Sequence, residues 1–297
     1  MEKVIVIGAF SFLGFHLTKK LLEEGITVYG LDLEQNEGSY DQKEEKQMSI
    51  GRNANLHYVS QKDREHWNPK INEKIDTLFF TIDLPSDKEQ AKPGLVEKYL
   101  YEAIEYCHLH STRFIFLSTT EIVAHKETFI TEQTHISPLT TRGERYLTLE
   151  EIIQAQNSKQ ALSFLILRLP TLYGPWQPDT FAFQQVLRLL EEGKDVGWVD
   201  DKYIGDVLYV EDAIEAIKKA ANCMISEEII HITTGNSGEW LKGMNYLLGR
   251  KNNEENFSNR LSNKKAEELL SFRPCITIEE GLSKQRSHIR LTSKKNL

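Results

Sequence analysis

Cysteine is scarce in this chain, and positive charge is outweighed by negative. The 297 residues hold three cysteines, Cys107, Cys223 and Cys275, scattered, odd in number and without Cys-x-x-Cys spacing. That pattern supports neither a disulfide framework nor a structural zinc site and predicts buried free thiols. The formal net charge of −8 at pH 7 supplies no basic field for nucleic acid. No stretch approaches the roughly 18 apolar residues of a membrane span. The apolar run that follows Met1-Glu2-Lys3, Val4 to Ile7, is also too short for the core of a signal peptide. The expectation is a cytoplasmic protein with no membrane and no nucleic-acid partner. Fixed-period repeats and low-complexity tracts are missing, no metal-ligand spacing stands out, and there is no Gly-x-Ser-x-Gly nucleophile elbow. His108 and His110 lie two residues apart, which does not place them on one helical face.

What remains is enough for a sizeable core: 40% of residues are hydrophobic and 27% charged, as in an ordinary globular α/β chain. Lys3–Ile7, Ile26–Leu31, Ile75–Thr81, Phe114–Ser118 and Leu162–Leu169 are short apolar runs of the kind that form strands buried on both faces. Helical patterns lie between them at Phe12–Glu24, Pro93–His110 and Arg142–Gln156. Alternation of this sort predicts an α/β fold built on a doubly wound parallel sheet. Residues 34–55 are polar and charge-rich and read as an exposed loop. Beyond Leu169 the pattern loosens. A helix is expected at Thr180–Glu192, a strand at Asp206–Val210 leading into a helix at Glu211–Ala221, and a strand at Glu228–Thr233. Short helices follow at Trp240–Leu248, Asn263–Leu270 and Ile278–Ile289. The domain expectation is a sheet domain over 1–165, with a returning segment near 205–221, and a small C-terminal α/β lobe over 166–297 that would bind substrate.

The first strand runs into VIVIGAFSFLG, with Gly8 at the strand end and Gly14 inside the first helix. A tight turn there, opening a helix whose first N–H groups and positive dipole face a crevice, suits a pyrophosphate. Gly8, Phe10, Ser11, Phe12, Leu13 and Gly14 are the candidate cofactor residues of this loop. Asp32 closes the second strand, 24 residues after Gly8, where an acid accepts from the adenosine ribose hydroxyls and repels a 2′-phosphate. NAD is therefore the expected cofactor.

Five segments together resemble the extended short-chain dehydrogenase/reductases, the NAD-dependent epimerases and dehydratases. They are IGAFSFLG, FLSTTEIVA (Phe116–Ala124), LRLPTLYGPWQ (Leu167–Gln177), DVLYVEDAIEAI (Asp206–Ile217) and RLSNKKAEELLSFRPCITIEEGL, and they span nearly the whole chain. The resemblance implies a Rossmann-type domain, a nucleotide-sugar ligand and a homodimer. It also implies a Tyr that exchanges a proton with the substrate hydroxyl, a Lys four residues later that lowers the Tyr pKa, and a Ser or Thr that orients the substrate oxygen around a hydride transfer. Thr119 matches the Ser or Thr, and Glu121 matches a Glu that dehydratases use as a base. The Tyr and Lys do not match. In SPLTTRGERYLTLEEII, Pro138, Gly143 and Glu150 fix a register that puts Arg142 at the Tyr position and Tyr146 at the Lys position. A guanidinium, with a pKa above about 12, holds its proton near neutral pH. Sliding the register makes Tyr146 the base but puts Glu150, of the wrong sign, at the Lys position.

The substrate segments depart as well: Thr171 stands where nucleotide-sugar members carry Asn, and Gly205 where many carry an Arg for the diphosphate. Two functions stay open. One is an NAD-binding relative of the nucleotide-sugar epimerases and dehydratases with altered or lost redox catalysis. The other is a catalytically silent regulatory protein that binds NAD or a metabolite. Thr141 and Glu144 have capping-box spacing and predict a helix start near Arg142 that would put Arg142 and Tyr146 on one face, the fixed cation there suiting an anionic ligand.

Overall fold

A computed structural model describes residues 1–32, 40–59, 71, 73–84, 94–123, 129–138, 140–197, 205–251 and 260–293. Every residue of KVIVI after the lysine is fully buried, and this segment forms β1 (Lys3–Ile7). The chain turns at Gly8 and enters α1 (Phe12–Glu23), which buries Phe12, Phe15, Leu17 and Leu21. Gly25, in the left-handed region at φ 79°, lets the chain leave that helix. It then forms β2 (Thr27–Leu31), α2 (Tyr40–Ile50) and β3 (Leu56–Val59). The sheet continues through β4 (Thr77–Phe80), α3 (Leu95–His110) and β5 (Arg113–Thr119), which ends in a single 3-10 turn, Thr120–Ile122. After β6 (Phe129–Ile130) come α4 (Thr141–Lys159), β7 (Phe164–Leu169), β8 (Thr171–Tyr173), α5 (Ala182–Glu191), β9 (Val207–Tyr209) and α6 (Val210–Asn222). The last elements are β10 (Glu228–His231), α7 (Glu239–Leu247), β11 (Arg260–Leu261), α8 (Lys264–Leu270) and α9 (Ile278–Ser293).

Seven strands form one sheet in the order β10-β7-β5-β4-β1-β2-β3. The pairs β1–β2, β2–β3, β1–β4 and β4–β5 are parallel, with Ile5 opposite Tyr29 on one side and Leu78 on the other. Chain order runs one way from β1 to β2 and the other way from β1 to β4. This is the topological switch point at which open α/β sheets leave a crevice at their carboxyl ends. The fold expected from the alternation is therefore the one observed.

The chain divides into two compact units. The first comprises Met1–Ala124, His135–Arg168 and Ile217–Ile230; the second comprises His125–Thr134, Leu169–Ala216 and His231–Leu297. The second has its own core, in which Tyr173, Phe183, Val186, Tyr209, Trp240 and Leu282 pack together, and two short parallel pairs, β8 with β9 and β6 with β11. A polar group lies inside it: the side-chain amide of Gln285 donates to Gln177 and Gln184 and its oxygen accepts from the Gly174 N–H. No helix among the described residues is long and apolar enough to cross a membrane.

Four expectations need correction. Residues 40–50, expected within a loop, form α2, and Leu56–Val59 forms an edge strand that periodicity missed; residues 34–39 of that stretch lie outside the described residues. The N-cap of α4 is Thr140, whose hydroxyl oxygen accepts from the Gly143 N–H, so Thr141 is the first helical residue and not the cap. Only Cys107 is a buried thiol; Cys223 is half-buried and Cys275 is exposed. The Arg142 cation is also already held by two carboxylates, as set out below.

Candidate active site

The β1–α1 loop is rigid for reasons that can be named. Gly8 has φ 87°, and a Cβ on it would stand 2.9 Å from the Thr81 carbonyl oxygen. A Cβ on Gly14 would stand 1.9 Å from the Gly8 carbonyl oxygen. Both positions therefore need glycine. Ser11 is the N-cap of α1: its hydroxyl oxygen accepts from the Gly14 N–H at 3.0 Å and its proton goes to the Thr81 carbonyl at 2.9 Å. Its one proton is spent on holding the loop to the segment after β4. Phe12 and Leu13 open the helix, where first-turn N–H groups point away from the helix body and favour an anion.

Helix α2 lies against this loop. Asp32 at the end of β2 is held by Lys43 at 2.7 Å. Burial raises its pKa, against the pull of Lys43, Lys46 and the Phe10 N–H. The Lys46 ammonium is almost fully buried, donates to the Phe10 carbonyl at 3.2 Å and lies 5.7 Å from the Phe15 ring centre. Burial pulls its pKa down to about 8, opposed by the charges of Asp32 and Asp83. The reading of 34–55 as a loop hid both lysines. The available signal was their three-residue spacing, which puts them on one face of a helix.

Thr119, Glu121, Arg142 and Tyr146 meet at the carboxyl ends of β4 and β5. Thr119 is buried at the end of β5, and its hydroxyl oxygen accepts from the Glu121 N–H at 3.2 Å, capping the 3-10 turn. The Glu121 carboxylate accepts from the Thr140 hydroxyl at 2.7 Å and from Arg142. Arg142 also donates to Asp83 and to the Leu84 carbonyl, each at 3.1 Å, and its guanidinium lies 5.1 Å from the Tyr146 ring centre. Burial opposes the Arg142 charge, but Tyr146, Asp83 and Glu121 outweigh it and raise its pKa further. The Tyr146 hydroxyl donates to the Ile82 carbonyl at 3.0 Å, and burial pushes its pKa up to about 12 although Arg142 pulls the other way. A Cβ on Gly143 would stand 2.6 Å from the Glu121 carbonyl oxygen, which explains a glycine one residue after Arg142 where α4 touches the turn. Asp83 and Thr81, neither singled out in the sequence, complete the site from the segment that follows β4.

Behind this cluster, Arg168 makes a two-pronged contact with Glu150, at 2.7 Å and 3.1 Å, and Ser118 donates to the same carboxylate at 2.5 Å. All three are buried, so Arg168 is a structural ion pair. In the second unit, Trp176 follows Tyr173-Gly174-Pro175 with φ 67° and packs its ring 4.5 Å from that of His288. Asp206 is buried there, accepts from the Thr234 N–H at 2.7 Å and from its hydroxyl, and burial raises its pKa to about 7.

A dinucleotide-type sheet with its glycine turn, acidic β2 end and hydroxyl-bearing β5 end at one switch point defines a Rossmann-type protein of the short-chain dehydrogenase/reductase kind. The model of the NAD dependent epimerase/dehydratase family matches residues 4–232, and the chain belongs to that family. An uncharacterized UDP-glucose epimerase of Bacillus subtilis (strain 168), YtcB, is 23% identical over 309 aligned positions, covering 97% of this chain and 98% of its own. Among solved structures, a mutant UDP-glucuronic acid 4-epimerase from Bacillus cereus, in complex with UDP-4-deoxy-4-fluoro-glucuronic acid and NAD, superposes with a TM-score of 0.82 at 22% identity. That match covers 98% of this chain and 99% of the other. A dTDP-glucose 4,6-dehydratase from Bacillus anthracis, in complex with NAD, superposes with a TM-score of 0.77 at 17% identity, covering 99% and 98%.

Proposed function

We propose that this protein binds NAD at the Gly8–Gly14 loop, takes a nucleotide-sugar-type ligand through residues 166–297, and does not perform the hydride transfer of its family by a Tyr–Lys pair. The residues present fit the cofactor: the two glycines leave no room for a Cβ, α1 opens beside them, and Asp32 follows β2, where an acid would accept from the ribose. NAD, when bound, would accept or return a hydride. Gly8, Phe10, Ser11, Phe12, Leu13 and Gly14 would hold its pyrophosphate, and Asp32 its adenosine ribose.

The observation that carries the reading is Arg142 clasped between Asp83 and Glu121. Redox chemistry of this family's kind needs a group that gives and takes a proton near neutral pH. Arg142 keeps its proton, Tyr146 spends its own on the Ile82 carbonyl, and Glu121 already carries Arg142 and Thr140. Thr119 retains the position of the substrate-orienting hydroxyl. This arrangement favours ligand binding without turnover, as in a regulatory or carrier role, and a homodimer is part of the same family reading. The test incubates the protein with NAD and UDP-, GDP- and dTDP-sugars, following NADH absorbance and epimerised or dehydrated product. Saturable NAD binding with no product is the expected result. Turnover that survives Arg142→Ala and stops in Tyr146→Phe would make Tyr146 the base and overturn the proposal.

A further inference from the structure

Asp32 alone, at the end of β2, would make the adenosine ribose site repel a 2′-phosphate. In the folded chain it does not stand alone. Helix α2 carries Lys43 and Lys46, three residues apart, the first on Asp32 and the second on the Phe10 carbonyl. Lys43 holds the Asp32 carboxylate at 2.7 Å, and only 11% of that carboxylate side chain is exposed. Lys46 lies beneath, nearly fully buried, bonded to the Phe10 carbonyl of the cofactor loop and within the electrostatic reach of Asp32. One ammonium group thus pairs with the carboxylate and a second acts on it through its charge. Lys43, one-third exposed, is the more accessible of the two.

We infer that Lys43 and Lys46 are specificity-determining residues that open the ribose end of the cofactor site to a 2′-phosphate, so that the protein takes NADP as well as NAD. The inference rests on the cofactor reading proposed above. Its physical basis is an exchange of partners. A ribose 2′-hydroxyl must compete with Lys43 for Asp32, whereas a 2′-phosphate shares Lys43 with Asp32 and gains a charge-assisted contact that offsets the repulsion between the two anions. A lysine meets phosphate as a point charge, without the bidentate geometry of arginine. The expected gain is therefore enough to cancel the usual discrimination against NADP rather than to make a site exclusive for it.

Calorimetric titration of the full chain with NAD and NADP tests this. In the parent protein the two dissociation constants are expected to agree within about tenfold, a difference of about 1.4 kcal/mol or less. Lys43→Met should weaken NADP by about tenfold or more while tightening or sparing NAD, because Asp32 is released to the ribose. A second measurement needs no variant: NADP affinity should fall more steeply than NAD affinity between low and high salt, since only NADP makes the extra ionic contact. Rejection of NADP by about a hundredfold or more relative to NAD in the parent, about 2.7 kcal/mol, would overturn the inference and leave the cofactor reading standing. A NADP-to-NAD ratio unchanged in Lys43→Met, or identical salt slopes, would overturn it equally. Failure of both dinucleotides to bind would remove the cofactor reading and this inference together.

Discussion

Replacing Arg142 by Met keeps the length of the side chain and removes its charge, so it isolates the ionic role of the cluster. Three hydrogen-bonded contacts disappear, along with the weaker contact to the Tyr146 ring. The hydrogen bond to the Leu84 carbonyl is neutral on the acceptor side and is worth about 1 kcal/mol. The pair with Asp83 is discounted to about 0–1 kcal/mol, because 39% of the Asp83 side chain is exposed. The contact with Glu121 matters most. Only 13% of that side chain is exposed, and stranding a carboxylate so well covered approaches the about 3–5 kcal/mol seen when buried pairs are broken. The retained Thr140 hydroxyl at 2.7 Å offsets part of that loss. These terms add to about 4–7 kcal/mol, which the Thr140 contact and side-chain relaxation reduce to an expected loss of about 2–4 kcal/mol. Urea unfolding followed by circular dichroism reads this as a lower midpoint with an unchanged slope. A cycle with Glu121→Gln should give a coupling energy of about 1–3 kcal/mol, as residues in direct contact do. If Arg142→Met unfolds within about 0.5 kcal/mol of the parent, the carboxylates are solvated and Arg142 is free to take a ligand anion. The site would then not be closed by its own charges.

Three further outcomes follow from the geometry. Ser11→Ala removes the α1 cap and leaves the Thr81 carbonyl without its donor, and it should cost about 1–2 kcal/mol in urea unfolding. Arg168→Met leaves Glu150 buried without its cation and should cost about 3–5 kcal/mol by the same measurement, with loss of soluble protein as the extreme outcome. Burial raises the folded pKa of Asp206 from the ordinary 3.8 of an aspartate to about 7, so its contribution to stability is fully present below about pH 4 and lost as pH rises through about 7. Over that window the parent should lose about 4 kcal/mol more than Asp206→Asn; parallel stability–pH curves for the two would refute the assignment.

The sheet was readable because its strands are buried on both faces, so Val4–Ile7 and Phe164–Leu169 stand out as unbroken apolar runs. Helix α2 was not. Among its side chains that are described, Lys46 and Ile50 are the buried ones, and one of these is a lysine. A helix that packs on a loop through an ammonium group carries no apolar stripe for periodicity to find. The edge strand Leu56–Val59 was missed for a related reason, being four residues long with a half-exposed Tyr58. At the site, residue types and register located Arg142, Tyr146, Thr119 and Glu121, because they follow from motif spacing. Their partners did not follow. Asp83 lies 59 residues before Arg142, and no local pattern reports which carboxylate a folded sheet will bring to a given guanidinium.

Ser11 also decides when the cost of order is met. Its hydroxyl ties the start of α1 to the segment after β4, and the Ser11 N–H bonds back to the Gly8 carbonyl at 3.0 Å, so the turn is a closed ring of contacts within the chain. A bare glycine at that position would leave more backbone freedom to be removed when a dinucleotide arrives. Here that freedom is removed at folding. Binding at this loop therefore starts from a preorganised receptor. Its entropy of association should carry little loop-ordering penalty, so affinity is set by the contacts themselves rather than by how readily the loop can be found in the right shape.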